Sequence, residues 1–228
     1  MSTFEPVLLR CPACGHGEKH QVAVSINAAR RPALRDEIEA GAFHAYTCGA
    51  CNRPYRHETT FTYLALERRQ LMLVLPPASA PRWRDAEVAL AGIAERTLTG
   101  AEVPSAARAL AEGLAQRVCF GLAAFREKVL CAAWRIDDIA LELAKLALLA
   151  ADPLRHAPGV ALRLDARTDD ALLLRPEAPA NGNGEQVVLA RAMLAALDDA
   201  AYAGARAALS PAGDGPARFV DVRRLFDP

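Results

Sequence analysis

Residues 5–75 carry apolar positions in short, alternating runs, the period of half-buried strands and not of helices. HQVAVSIN (20–27) reads as a strand and AFHAYTC (42–48) as a second. YRHETTFTYLAL (55–66) leads through a turn at ERRQ into LMLVLP (71–76), completing a hairpin. RPALRDEIEAG (31–41) interrupts the strands with a short helix, Pro32 in its first turn and Gly41 at its stop. PPASAP (76–81) breaks both helix and sheet patterns and marks a boundary.

Beyond Trp83 the spacing changes to three and four residues, as packed amphipathic helices require. Helices are predicted around 84–97, from Pro104 through Val118, over 122–134 and over 136–150. VALRLDARTDDALLLRPE (160–177) reads as two strands about a polar turn, and NGNG (181–184) as a turn or loop. Residues 188–209 read as one helix, and RFVDV (218–222) as a last short strand. The fold class expected is α+β. An N-terminal β-ribbon over 1–77, expected as a zinc ribbon from its cysteine pairs Cys11/Cys14 and Cys48/Cys51, joins a part spanning 78–228, helical over about 82–152, with a small α+β tail over about 158–228.

Composition agrees with this picture and narrows it. The chain of 228 residues is long enough to bury a core, is 52% hydrophobic and 24% charged, and holds only 6% aromatics, which favours close-packed helices over a large β structure. Lys+Arg and Asp+Glu both number 27. A protein that neutralises many phosphates normally carries a basic excess, so nucleic acid and anionic membrane surfaces are disfavoured partners and a protein partner is favoured. The N-terminus lacks a basic start and apolar core, and the most apolar run, from Ile139, is short and contains Glu142 and Lys145. The location expected is cytoplasmic, where paired cysteines are read as metal ligands or redox groups before disulfides.

Four of the six cysteines, Cys11, Cys14, Cys48 and Cys51, form two C-x2-C pairs separated by 33 residues. A two-residue spacing lets one tight turn present two sulfurs to one ion, and two such turns supply the four thiolates that Zn2+ prefers. Pro12 stiffens the first turn, while Gly15 and Asn52 suit the left-handed exits of the two turns. One structural zinc is therefore expected. Four thiolates fill the tetrahedron and leave no position for an activated water, so catalysis at the ion is not expected. Reduced cysteines without metal remain the alternative, and a thioredoxin-like dithiol would need only one pair.

Other chemistry is weaker. Cys119 and Cys131, in apolar helical sequence, read as buried small hydrophobes. His16, His20, His44 and His57 read as surface histidines, because none is paired at ligand spacing. Asp138, Glu142 and Lys145 recur at i, i+4 and i+7, which predicts a solvated stripe with a modest ion pair; the sharper alternative is an acid–base cluster. Arg30, Arg31, Arg35, Arg53 and Arg56, with Phe43, Tyr46 and Tyr55, form a candidate nucleic-acid face, but Asp36, Glu37 and Glu39 interleave with them.

Residues 5–77, with their two cysteine pairs, SIN stretch, small helix and glycine-bearing return strand, resemble the CpXC family of bacterial and archaeal proteins. FREKVLCAAWRIDDIALELAKL (125–146) resembles the segment that follows in longer members, and FVDV (219–222) their end more loosely. The resemblance implies Cys11, Cys14, Cys48 and Cys51 as metal ligands in a zinc-ribbon domain, and no particular activity. The second pair departs from the family, with Gly49 in place of proline and Asn52 in place of glycine. The function expected is a zinc-binding protein acting as a protein-binding adaptor. A nucleic-acid-binding protein, a thiol redox switch and an enzyme with a site between the two parts stand as alternatives.

Overall fold

The computed structural model describes residues 2–151, 161–177, 186–197, 200–210 and 218–225. Among these residues the chain is mixed α+β, with seven α-helices and three sheets. It divides into two compact units, residues 1–126 and 127–228.

The first unit opens with a long hairpin, β1 (Thr3–Arg10) and β2 (Gly17–Asn27), paired antiparallel from Arg10↔Gly17 outward. Near its open end the register slips, so that Val24 is the extra residue of a bulge. A short helix α1 (Pro32–Glu39) follows, with Pro32 at its start and Gly41 at φ 72° beyond its end. A small hairpin comes next, β3 (Ala45–Thr47) and β4 (Pro54–Arg56), then β5 (Phe61–Ala65) and β6 (Gln70–Leu75). β5 and β6 are joined through a tight turn in which Arg69 takes φ 53°.

Two helices, α2 (Trp83–Ala94) and α3 (Ser105–Ala111), lead to β7 (Ala115–Phe120). These strands make a five-stranded sheet in the order β1-β2-β5-β6-β7, with β2/β5 and β6/β7 parallel and the other pairs antiparallel. Parallel pairs need long crossovers, which α1 with the small hairpin and α2 with α3 supply. Phe43, Phe61, Tyr63 and Phe125 pack edge to face, ring centroids 5.1–6.4 Å apart, and form the aromatic centre of the core.

β7 corrects the expected helix from Pro104 through Val118. That helix ends at Ala111, and Gly113 (φ 66°) turns the chain into a strand whose Val118, Cys119 and Phe120 are buried. Tertiary pairing with the apolar β6 overrides the local helical spacing. The compact units accordingly do not divide at the proline-rich stretch near 77. The strand that completes the first sheet lies beyond it, and the division falls inside helix α4 (Leu122–Trp134).

The second unit contains the rest of α4, then α5 (Asp138–Ala151), β8 (Ala161–Arg167), β9 (Ala171–Glu177), β10 (Val187–Ala190), α6 (Arg191–Ala196) and α7 (Ala203–Leu209). Its three strands form an antiparallel sheet in the order β10-β9-β8. The core is rich in leucine, with Leu130, Leu141, Leu143, Leu162, Leu164, Leu172, Leu174 and Leu189 all buried. The single helix expected over 188–209 is instead a strand end and two short helices, because the β-branched Val187 and Val188 pair with β9. The expected strand at 218–222 is irregular backbone running into a 3-10 turn, with Phe219, Val220 and Val222 buried. The predicted turn at 181–184 and the expected domain join at 152–158 lie outside the described residues. Among the described residues no helix is long and apolar enough to cross a membrane.

Candidate metal centre

The two cysteine pairs occupy the tips of two hairpins, one between β1 and β2 and the other between β3 and β4. Their turns are built alike. The Cys11 N–H donates to the His16 carbonyl (2.8 Å) and the Gly15 N–H to the Cys11 carbonyl (2.8 Å). In the second turn the Cys48 N–H donates to Arg53 (3.0 Å) and the Asn52 N–H to Cys48 (2.9 Å). Each turn leaves through the left-handed region, Gly15 at φ 75° and Asn52 at φ 54°, as the sequence predicts.

The turns bring the sulfurs together. Cys11 Sγ lies 3.7 Å from Cys51 Sγ, Cys14 Sγ lies 3.6 Å from Cys48 Sγ, and all four sit within 4.8 Å of one another. A tetrahedral tetrathiolate with metal–sulfur bonds of about 2.3 Å has sulfur–sulfur edges of about 3.8 Å. The four cysteines therefore fit a single metal ion, with Cys11 and Cys48 buried and Cys14 exposed.

The backbone prepares the sulfurs for a cation. Burial raises the Cys11 thiol, but the N–H groups of Ala13 and Cys14, with the Cys51 and Cys14 thiols, bring it down to about 7. Cys48 is lowered in the same way, chiefly by the N–H of Cys51, with that of Ala50 adding to it. At Cys14 the N–H of His16 favours the thiolate, yet the surrounding sulfurs and burial hold the proton, up to about 12. Four sulfurs this close cannot all ionise without a positive ion among them.

Around the cluster lies a polar collar not read from sequence. The Glu18 carboxylate accepts the Gly49 N–H at 3.3 Å, tying the first hairpin to the second turn, and lies 3.8 Å from both His16 and His20. A Cβ on Gly49 would sit 2.5 Å from a Glu18 oxygen, and a proline would have no N–H to give. The signal was present as the glycine standing where the resemblance leads one to expect proline. Tyr55 Oη meets His20 Nε2 at 3.4 Å, and the His20 ring lies tilted against Tyr46, ring centroids 4.3 Å apart.

His44 corrects the surface-histidine expectation, since it is buried and accepts the Ala23 N–H on Nε2 at 3.2 Å. Burial, helped by His57, lowers it to about 4. The unfolded chain binds this proton near pH 6.5, and the folded chain only near 4. The stability held by neutral His44 is thus complete above pH 6.5 and drains away as the pH falls toward 4. Thermal melts should show a drop between pH 7 and 5, before most carboxylates titrate. His44→Gln, which keeps an acceptor but no titrating ring, should flatten that drop; an identical drop in the variant would assign it elsewhere.

Three of the five arginines are engaged within the chain. Arg35 is 3.1 Å from Glu67, Arg56 donates to the Gly41 carbonyl, and Arg31 lies over the Phe4 ring. Phe43 is buried and unavailable for base stacking. Cys119 and Cys131 are both buried, as expected of small hydrophobes.

In the second unit the predicted solvated stripe is overturned. Glu142 and Lys145 are 0% and 1% exposed, and they belong to an interior ion network. Lys145 Nζ donates to Glu142 (2.9 Å) and Glu127 (2.6 Å), while Lys128 Nζ reaches Glu142 (3.1 Å) and Asp138 (3.4 Å). Arg163 pairs with Asp221 (3.0 Å), Glu127 (3.3 Å) and Glu177 (2.9 Å). The second oxygens of the two central carboxylates are also engaged, Glu127 by the Leu164 N–H (2.6 Å) and Glu142 by the Val222 N–H (3.0 Å). Burial would raise Glu127, but Lys145, Arg163 and Lys128 bring it down to about 2. Helical spacing alone did not show that partners from α4, β8 and the C-terminal segment would close over this face. The Glu-Lys pair inside α4, which apart from Arg126 is apolar, was the available hint.

Comparison with curated proteins and with solved structures finds no match. The pattern that defines the CpXC protein family matches residues 9–145, a stretch covering both cysteine turns, the complete first sheet beyond β1 and the Glu-Lys helix. With more than half of its length matched and its four cysteines gathered at one point, the chain belongs to the CpXC family.

Proposed function

We propose that Cys11, Cys14, Cys48 and Cys51 hold one zinc ion in a zinc-ribbon-like structural centre, and that the protein works as a binding module with a protein partner. The observation that carries the metal reading is the pair of matching turns with four sulfurs within 4.8 Å. An all-sulfur donor set favours zinc over harder cations, and a filled tetrahedron gives the ion a structural role. Free thiolates of this kind belong in a reducing compartment such as the cytoplasm.

The binding role rests on the outer surface of the first unit. β1 is one of the two edge strands of its sheet, and Leu8 on it is 55% exposed. An edge with an exposed apolar side chain suits a protein partner, which can add backbone hydrogen bonds and cover the leucine. Nucleic acid is the weaker reading, since the chain has no basic excess and Arg35 and Arg56 are engaged internally.

The intact chain purified under reducing conditions should contain one zinc per molecule. Captured host proteins should bind wild type and be lost with Leu8→Lys, whose zinc content stays at one. Zinc well below one per chain with all four thiols reduced overturns the metal reading. Affinity for DNA or RNA that falls steeply with salt overturns the protein-partner reading in favour of nucleic acid.

A further inference from the structure

The two cysteine turns direct their backbone N–H groups alike. The sulfur of Cys11 receives those of Ala13 and Cys14, and the sulfur of Cys48 those of Ala50 and Cys51. In each turn the residue directly after the first cysteine stands outside this scheme. In the first turn it is Pro12, which has no N–H and whose ring fixes φ. In the second it is Gly49, the most freely rotating residue a chain can place there, with an N–H that no sulfur takes.

Glu18 accepts that N–H. Its Oε2 lies 3.3 Å from the Gly49 nitrogen and belongs to β2, the strand that leaves the first turn, so the contact spans the two hairpins. The backbone at 49 does not itself demand glycine, since its φ lies outside the left-handed region that Gly15 occupies. What glycine supplies is room, because Glu18 Oε1 lies only 2.5 Å from where a Cβ would stand. Four thiolates around a divalent ion already sum to a negative charge, so a further carboxylate does not help to hold the ion by its charge. Its contribution has to come from position.

We propose that Glu18 is a positioning residue of the metal centre, holding the Cys48–Cys51 turn against the Cys11–Cys14 turn through the Gly49 N–H, and that Gly49 is there to admit its carboxylate. Pro12 stiffens the first turn from within, and Glu18 steadies the second from the other hairpin. This role rests on the metal reading above and adds to it two residues that supply no ligand atom. Outer partners that orient metal ligands commonly change affinity by about 10–100-fold when removed, and a partly exposed contact of 3.3 Å belongs at the lower end.

The test is competition for Zn2+ between the full, reduced chain and a chromophoric chelator, with the Co2+-loaded proteins compared by their thiolate-to-metal absorption. Glu18→Ala should weaken zinc binding about ten-fold, while the Co2+ spectrum keeps its four-thiolate form because no ligand is lost. Gly49→Ala, which displaces the carboxylate without removing it, should weaken binding to the same extent, and the double variant no further than either alone. Glu18→Gln keeps an acceptor for the Gly49 N–H while removing the charge that faces His16 and His20, and should recover most of the affinity. Equal affinity in wild type and Glu18→Ala overturns the proposal, as do single effects that multiply in the double variant or a glutamine as weak as the alanine. Wild type that takes up no metal removes the zinc reading itself. Wild type with one zinc per chain and an unchanged Glu18→Ala leaves that reading standing and removes only the role of Glu18.

Discussion

Cys48→Ser is expected to strip the metal from the protein and to destabilise the first unit by about 4 kcal/mol or more, the stabilisation given by a ligand present at roughly a thousand times its dissociation constant. Cys48 is buried, lies 3.6 Å from Cys14, and its sulfur receives the N–H groups of Cys51 and Ala50. Serine fits the turn but supplies a poorer ligand, leaving three sulfurs and an open corner. The five-stranded sheet has an aromatic core of its own, so the loss should fall on the two hairpin tips and on whatever they hold in place, and the unit should not unfold outright. The two tryptophans make this measurable unit by unit, Trp83 reporting the first and Trp134 the second. Urea unfolding followed by Trp83 in a Trp134→Phe background should shift to lower denaturant, while Trp134 in a Trp83→Phe background should not. Full zinc content with an unmoved Trp83 transition would mean that the cysteines do not form the centre.

Glu127→Ala should cost the second unit about 3–5 kcal/mol, the scale for removing one partner from a buried ion pair. The substitution strands Lys145 and Arg163 without a shared counter-charge and leaves the Leu164 N–H without its acceptor. Glu127→Gln retains an acceptor for Leu164 and should cost less, which separates the charge from the hydrogen bond. The readout is the Trp134 transition in the Trp83→Phe background. A change below about 1 kcal/mol would return the network to the status of an exposed surface stripe. Acid gives an independent check. Glu127 is held near 2 against an ordinary 4.5, so its contribution is complete above pH 4.5 and is lost as the pH falls toward 2. This window lies below the one set by His44.

The gathering of the four cysteines was legible because its information is local. Two residues between cysteines dictate a turn, and Gly15 and Asn52 mark its left-handed exit wherever the turn sits in a fold. The strand at 20–27 that leaves the first turn, and the two at 160–177, alternate apolar and polar residues in the sequence and were readable for the same reason, whereas β1 was not read. Three things were not legible. β7 resembles a helical continuation until β6 is beside it, Glu142 and Lys145 resemble a wet helix face until Glu127 and Arg163 arrive from elsewhere in the unit, and His44 resembles a surface residue until Ala23 reaches it. In each case the deciding partner lies from eighteen to dozens of residues away, and periodicity within a single window does not carry it.

The parallel pairing of β6 with β7 has a consequence for how this chain can be cut. β6 reads QLMLVL, with its first five residues buried and no charged side chain, and β7 covers its far edge. A fragment ending at the proline-rich stretch would keep all four cysteines, yet it would leave that strand as a bare, flat, apolar edge. Such edges recruit further strands, so the excised fragment should associate and precipitate even in the presence of zinc. The shortest well-behaved piece bearing the cysteines should run past Phe120. The cysteine turns meet at the hairpin tips, but it is a strand some forty residues farther along that covers the apolar edge of β6.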